Sequence, residues 1–312
     1  VGKTSFRDRF FSDTDRVGRL SARFAPLINW GNRTRWVRRL LHRFLGIHKD
    51  RILPPVQSVP FEKWSENRGD DKPESPRGRV ALFHTCFVNY NDPDIGKDAL
   101  AVLKKNGIEV ISPQQQCCGM PFFDIGDLEA ARTKARSNLA AFRPSIEAGC
   151  DIVALMPTCS LMLKKEYPFL LGEEARPLAE RTFDVCEYLM RLHKEERLAL
   201  DFRQPIGRIA YQIPCHLRDQ NIGYKSRDLL QLIPETRVQV IERCSAHDGT
   251  WGIKTEYFES SLRTARPLFR DIEESGADAV ATDCPLAGNQ IEQGTGRRPL
   301  HPIQLLRKAY GI

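Results

Sequence analysis

The stretch Gln116-Cys117-Cys118-Gly119-Met120-Pro121 decides how the rest of the chain is read. Two adjacent cysteines before a glycine are poorly explained as packing. A buried structural cysteine is usually single, and zinc sites usually space their thiolates two to four residues apart. Cys86 and Cys159 flank the pair, and three short apolar runs, at 80–83, 108–111 and 152–156, precede these cysteine positions. The pattern reads as three strand ends that deliver thiols to one place.

Working outward, strands and helices alternate. A strand over 79–85 leads to Cys86, and Asp92-Pro93 opens a helix that Gly107 ends. A strand over 108–112 leads to the paired cysteines. Asp127 then opens a long helix with Leu128, Ala131, Ala135, Leu139, Phe142 and Ile146 on its apolar side. A strand over 150–156 leads to Pro157-Thr158-Cys159. This alternation predicts a parallel sheet with right-handed crossovers and a ligand site beyond the carboxyl ends of its strands.

The second half repeats the first. Arg79-Val-Ala-Leu-Phe-His-Thr-Cys86 aligns with Arg208-Ile-Ala-Tyr-Gln-Ile-Pro-Cys215, and Gly149-Cys-Asp-Ile-Val-Ala-Leu with Gly276-Ala-Asp-Ala-Val-Ala-Thr. Cys244 then falls opposite Cys117, and Cys284 opposite Cys159. Cys118 has no counterpart: Ser245 stands there, with His247 two residues on. The expected fold class is α/β, two repeated parallel-sheet units with a pseudo-twofold relation, preceded by a basic helical extension. The expected segments are an extension over 1–64, a linker over 65–78, and units over 79–204 and 205–312.

Composition fits that division. The 312 residues are 41% hydrophobic and 28% charged, which argues against wholesale disorder. No apolar run approaches the ~18 residues needed to span a bilayer, and no signal peptide is visible. Nine cysteines in a chain of this size, without an export signal, favour metal binding or redox work over a disulfide framework. The net charge of +7 is concentrated: residues 1–52 carry thirteen Lys/Arg against four Asp/Glu. Within the extension, Val17, Leu20, Phe24, Leu27 and Ile28 follow helical spacing, as do Trp36/Val37, Leu40/Leu41 and Phe44/Leu45, with arginines between them. Two readings follow: a helical pair packed on the body, or a basic amphipathic surface over 16–45 for anionic lipid or an acidic partner. Nucleic acid is not an expected partner, since no recognition motif accompanies the charge.

Four converging thiolates bind something soft, and zinc, an iron–sulfur cluster or a dithiol couple are the choices. Adjacent ligands crowd a single tetrahedral ion but reach different irons of a cluster, which favours iron–sulfur. A Cys117–Cys118 disulfide would close a small, strained ring.

The arrangement of Cys86, Cys117-Cys118-Gly119 and Cys159, repeated at Cys215, Cys244 and Cys284, resembles the tandem CCG cysteine-rich domain family. Met156-Pro-Thr-Cys159, Asp283-Cys284-Pro-Leu-Ala-Gly288 and His301-Pro302 extend the likeness over about 79–312. The family includes the B-subunit of heterodisulfide reductase and iron–sulfur subunits of anaerobic glycerol-3-phosphate, glycolate and lactate dehydrogenases. Leu45-Gly-Ile-His48 and Phe61-Glu-Lys-Trp64 are similar to the C-subunit group of anaerobic glycerol-3-phosphate dehydrogenase. The resemblance implies a cytoplasmic electron-transfer subunit, peripheral at the cytoplasmic membrane face. It would relay electrons from a flavoprotein dehydrogenase, through a ferredoxin-like module or subunit, toward a quinone or similar acceptor. A thiol/disulfide reductase of the heterodisulfide type and a zinc-stabilised scaffold are the alternatives.

Two departures shape the expectation. The family motif ends in two cysteines separated by two residues, whereas Met162 and Ala287 stand at those second positions. A five-cysteine cluster therefore gives way to a 4Fe-4S cluster on Cys86, Cys117, Cys118 and Cys159. The second unit, with Cys215, Cys244, Cys284 and His247, is expected to hold a cluster, another metal or a substrate pocket. The C-subunit group also carries an amino-terminal ferredoxin module that is not found here, and with Val1 in place of methionine the chain reads as part of a longer protein. Cys150, Cys186 and His84 read as core residues, and His216 as a helix-start residue or a support for the ligands.

Overall fold

The computed structural model describes residues 4–67 and 72–312. Residues 68–71 of the expected linker lie outside them. The two sheets fall where the repeat places them. The first unit contains β1 (Gly78–Phe83), β2 (Ile108–Ile111), β3 (Asp151–Ala154) and β4 (Thr182–Asp184), in the order β2-β1-β3-β4. The second contains β5 (Arg208–Gln212), β6 (Arg237–Ile241) and β7 (Ala279–Ala281), in the order β6-β5-β7. All pairings are parallel. The short apolar runs become central strands because helices cover both faces: Val80, Leu82, Ile108 and Val153 are fully or almost fully buried in one core, Ala81, Phe83 and Ile152 in another.

The extension folds into more than a helical pair. Four helices precede the units: α1 (Phe6–Ser12), α2 (Thr14–Arg23), α3 (Ala25–Arg33) and α4 (Arg35–Leu45). A fifth, α5 (Phe61–Asn67), runs into the start of the expected linker. Their contact with the body is made by small residues, not by the large apolar ones. Gly18, Ala22, Ala25 and Gly31 are buried, while Leu20, Phe24, Leu27, Trp36 and Phe44 are 50–76% exposed. Gly18 lies so close to Tyr90 that an added Cβ would sit 2.2 Å from its ring. A small-residue face permits this approach and turns the large apolar side chains toward solvent.

Helices in the first unit serve the cysteines. They are α6 (Cys86–Tyr90), α7 (Pro93–Lys105), α8 (Met120–Asp124), α9 (Leu128–Glu147) and α10 (Pro157–Leu161). A π-helical turn, Met162–Glu166, follows α10.

A buried polar knot joins the units. Asp184 caps the helix Val185–Lys194, accepting from Cys186 N–H at 3.0 Å. Asp283 accepts from Tyr211 Oη at 2.5 Å and from Ser226 Oγ. Among the described residues, Asp184, Cys186 and Asp283 are the one trio whose ligand-type atoms all lie within 4.8 Å of one another. Burial, then the charge of Asp283, pushes the Asp184 carboxyl up to about 8. The fold thus keeps a proton that the unfolded chain loses near pH 4, so stability falls as pH rises between about 4 and 8. Asp184→Asn preserves a good helix cap. It should flatten that slope in pH-dependent urea unfolding and add on the order of 1–2 kcal/mol at pH 8, with no gain at pH 4.

Candidate cysteine-ligated cofactor site

Cys86, Cys117, Cys118 and Cys159 come together at the carboxyl ends of β1, β2 and β3. They form a string in which each thiol is within hydrogen-bonding reach of the next, Cys86 to Cys117 to Cys118 to Cys159. The Cys118 and Cys159 sulfurs are 3.4 Å apart. Cys117, Cys118 and Cys159 are 2–4% exposed.

Local backbone explains how the strands release these residues. Thr85 turns the chain out of β1 with φ of 71°, unusual for a β-branched residue. Its hydroxyl caps α6 by accepting from Val88 N–H at 3.3 Å, which sets Cys86 at the first helical position. Gly119 adopts φ of 96° directly after the pair, a conformation open to glycine.

The paired cysteines are held from both sides. Asn138, fully buried on α9, donates to the carbonyls of Gln116 and Cys117, each at 3.2 Å, and to Tyr167 Oη at 2.9 Å. Tyr167 in turn donates to the Cys118 carbonyl at 3.0 Å. From the other side, both carboxylate oxygens of Asp15 on α2 accept the Cys117 N–H at 2.9 Å. Lys134 neutralises Asp15 at 2.6 Å, and Ser12 Oγ donates to the Pro121 carbonyl at 2.9 Å. The start of the extension is therefore a cover over the first thiol set.

The thiols do not share charge evenly. Hydrogen bonds from Cys118 and Cys86, with Thr14 and Gly119 N–H adding to them, hold Cys117 well below the usual thiol range. Cys86 and Cys118 rise well above it, first through their bonds to Cys117 and then through burial. A soft cation in this pocket would replace those shared protons. Four convergent thiols free of disulfides, three of them buried and Cys86 half-buried, fit an iron–sulfur cluster by the chemistry of the donor set.

The second set is more open. Cys215 and Cys244 are exposed and Cys284 is half-buried. Cys215 sits at the start of the helix Cys215–Asp219 and feels the charge of Cys244, while Cys284 feels that of Cys215. Ala246 N–H donates to Cys244 Sγ at 3.3 Å. His247 is buried, its Nδ1 has no partner, and burial, with the nearby Arg51 charge, lowers it to about 3. It belongs to no tight ligand trio among the described residues. The two sets adjoin: Thr158 Oγ1, next to Cys159, is 2.8 Å from Nδ1 of His216, next to Cys215. His216 thus supports the junction. Cys150 and Cys186 are buried at 5% and 0%, and His84 is a core residue against Phe61.

Thr14, Asp15, Lys134, Asn138 and Tyr167 were not among the site residues expected from the sequence. Asn138 alone had a legible signal, as a polar residue on the apolar side of a long helix.

The cysteine-rich domain family, CCG, matches residues 80–164 and 209–292. The C-subunit of anaerobic glycerol-3-phosphate dehydrogenase from Escherichia coli (strain K12) is 34% identical over 98% of this chain and 78% of that protein. The B-subunit of the fumarate reductase (CoM/CoB) of Methanothermobacter marburgensis is 29% identical over 75% of this chain and 45% of that protein. A crystal structure of a hypothetical protein from Helicobacter pylori shares the fold, with a TM-score of 0.53 at 15% identity, over 77% of this chain and 50% of that one.

Proposed function

The chain belongs to the tandem CCG cysteine-rich domain family, and on that premise we propose that it is an iron–sulfur electron-transfer subunit of a multisubunit oxidoreductase. The observation that carries this reading is the string of four thiols beneath the extension, buried at Cys117, Cys118 and Cys159 and half-buried at Cys86. Cys86, Cys117, Cys118 and Cys159 would hold a 4Fe-4S cluster, which supplies one-electron redox chemistry when bound. The surrounding residues fix and insulate it: Asn138 and Tyr167 hold the carbonyls of the pair, Asp15 holds the Cys117 N–H, and α2 excludes water. Cys215, Cys244 and Cys284 would form a second, more accessible centre, with His247 as a candidate fourth group. The Thr158–His216 contact gives the two centres a short connection. A flavoprotein dehydrogenase with a ferredoxin-like module is the proposed donor, and a quinone or similar molecule the acceptor. The anaerobically purified protein should show a paramagnetic signal on dithionite reduction that disappears on reoxidation by a quinone analogue. Iron that cannot be cycled this way would contradict the relay.

No helix among the described residues is long and apolar enough to cross a membrane. The proposed site of work is the cytoplasmic membrane face, reached through residues 16–45. Leu20, Phe24, Leu27, Trp30, Trp36, Leu40 and Phe44 are 46–76% exposed there, interleaved with exposed Arg16, Arg19, Arg23, Arg33, Arg35, Arg39 and Arg43. Apolar anchors among arginines suit an interface of anionic lipid. Binding to phosphatidylglycerol vesicles is expected at low salt and should weaken several-fold at about 0.5 M, where charge attraction is screened. Absence of binding at low salt would assign this face to another protein of the complex.

A further inference from the structure

The cover over the first thiol set carries one polar group that its anchoring does not use. Thr14 is the first residue of α2 and lies between the two residues that tie the cover down. On one side Ser12 donates to the Pro121 carbonyl, and on the other Asp15 accepts the Cys117 N–H. The Thr14 hydroxyl oxygen is buried and makes no directed hydrogen bond. It nevertheless lies beside two sulfurs, those of Cys86 and Cys117, within reach of both.

The helix itself does not employ this hydroxyl. The cap of α2 is Asp13, whose carboxylate accepts the Arg16 N–H at 3.4 Å. The other neighbouring carboxylate, Asp15, is taken up by the Cys117 N–H and by Lys134. Neither acid receives the Thr14 proton. A buried donor left without an acceptor is costly. Sulfurs that carry charge as cluster ligands would supply that acceptor. The hydroxyl proton rotates about the C–O bond, so it reaches either sulfur without a shift of α2.

We propose that Thr14 acts through these ligand sulfurs as a positioning residue, its hydroxyl donating to them and raising the reduction potential of the first centre. The inference rests on the cluster reading given above. A hydrogen bond draws charge from a thiolate, and the reduced centre carries one more negative charge than the oxidised one. The bond therefore stabilises the reduced form more than the oxidised form. Reduction adds one electron to the centre, while the proton stays on Oγ1. In the second unit a backbone group serves a sulfur instead, with Ala246 N–H donating to Cys244 Sγ at 3.3 Å. The donor in the first unit arrives on the extension, so the cover sets the potential as well as shielding the thiols.

Potentiometric titration of the cluster-loaded full chain, followed by electron paramagnetic resonance, reads the effect. Thr14→Val keeps the branched shape but has no donor. At a fixed potential it is expected to lower the reduced-to-oxidised ratio about tenfold, which is about 59 mV for a one-electron couple. Thr14→Ser keeps the hydroxyl and should keep the native potential. Electron–nuclear double resonance in H2O and D2O adds a readout that fold stability does not move. It should show an exchangeable proton coupled to the reduced centre, lost in Thr14→Val and kept in Thr14→Ser. A loaded Thr14→Val protein with native potential and native proton coupling overturns the inference and leaves the cluster reading intact. Absence of that proton from the native spectrum overturns it without any variant. A native chain with no iron–sulfur signal removes the cluster reading, and this inference with it.

Discussion

Cys118→Ser is expected to abolish the iron centre of the first unit. Cys118 is the middle of the thiol string, touching Cys117 on one side and Cys159 at 3.4 Å on the other. A serine hydroxyl is a hard, poorly ionised donor and does not replace a thiolate toward a soft metal. Loss of supporting hydrogen bonds around a metal ligand alone costs about 10–100-fold in affinity, so losing the ligand should lower bound iron by at least about tenfold. The chain already carries this change once, because Ser245 stands at the corresponding place of the second unit. The variant therefore makes the first centre resemble the second. Cys150→Ser is the matched control: Cys150 is also buried but precedes β3 at the opposite end of the sheet, and its loss should leave the iron signal unchanged.

Asp15→Ala is expected to release the cover over the first centre. Asp15 accepts the buried Cys117 N–H with both oxygens and pairs with Lys134 at 2.6 Å. Its removal leaves the Cys117 N–H unsatisfied and the half-buried Lys134 ammonium with only the more distant Asp13, at 3.9 Å. Breaking a buried ion pair in this way costs about 3–5 kcal/mol. Asp15→Asn retains an acceptor for the N–H but not the charge, and should fall between the variant and the native chain. Chemical unfolding gives the stability loss, and the rate of iron transfer to a chelator reports the opened cover. A normal chelation rate in a destabilised Asp15→Ala protein would show that α2 stabilises the fold without shielding the centre.

The parallel sheets, the strand ends and the four clustered thiols were legible in the sequence because each depends on local spacing, whereas the strand order and the short edge strand β4 were not read from it. Short apolar runs at regular intervals specify buried parallel strands, and the repeat at Arg79 and Arg208 specifies the second unit. The cover was not legible. Asp15 and Lys134 lie 119 residues apart, and an acid–base pair of ordinary residue types carries no mark of that distance. Arg38 is likewise lost among the arginines of α4, although it is buried and its neighbours Arg35 and Arg39 are exposed. The orientation of the extension did have a signal, in the spacing of Gly18, Ala22 and Ala25. Helical periodicity of the large residues obscured it, because an apolar stripe usually faces the core and here a small-residue face does.

Iron, acid-labile sulfide and zinc, measured together on anaerobically purified native chain, test the central claim most directly. The account predicts about four irons and four sulfides for each occupied 4Fe-4S centre, with a paramagnetic signal after one-electron reduction that depends on Cys118. One zinc per chain, with neither iron nor sulfide, would contradict it.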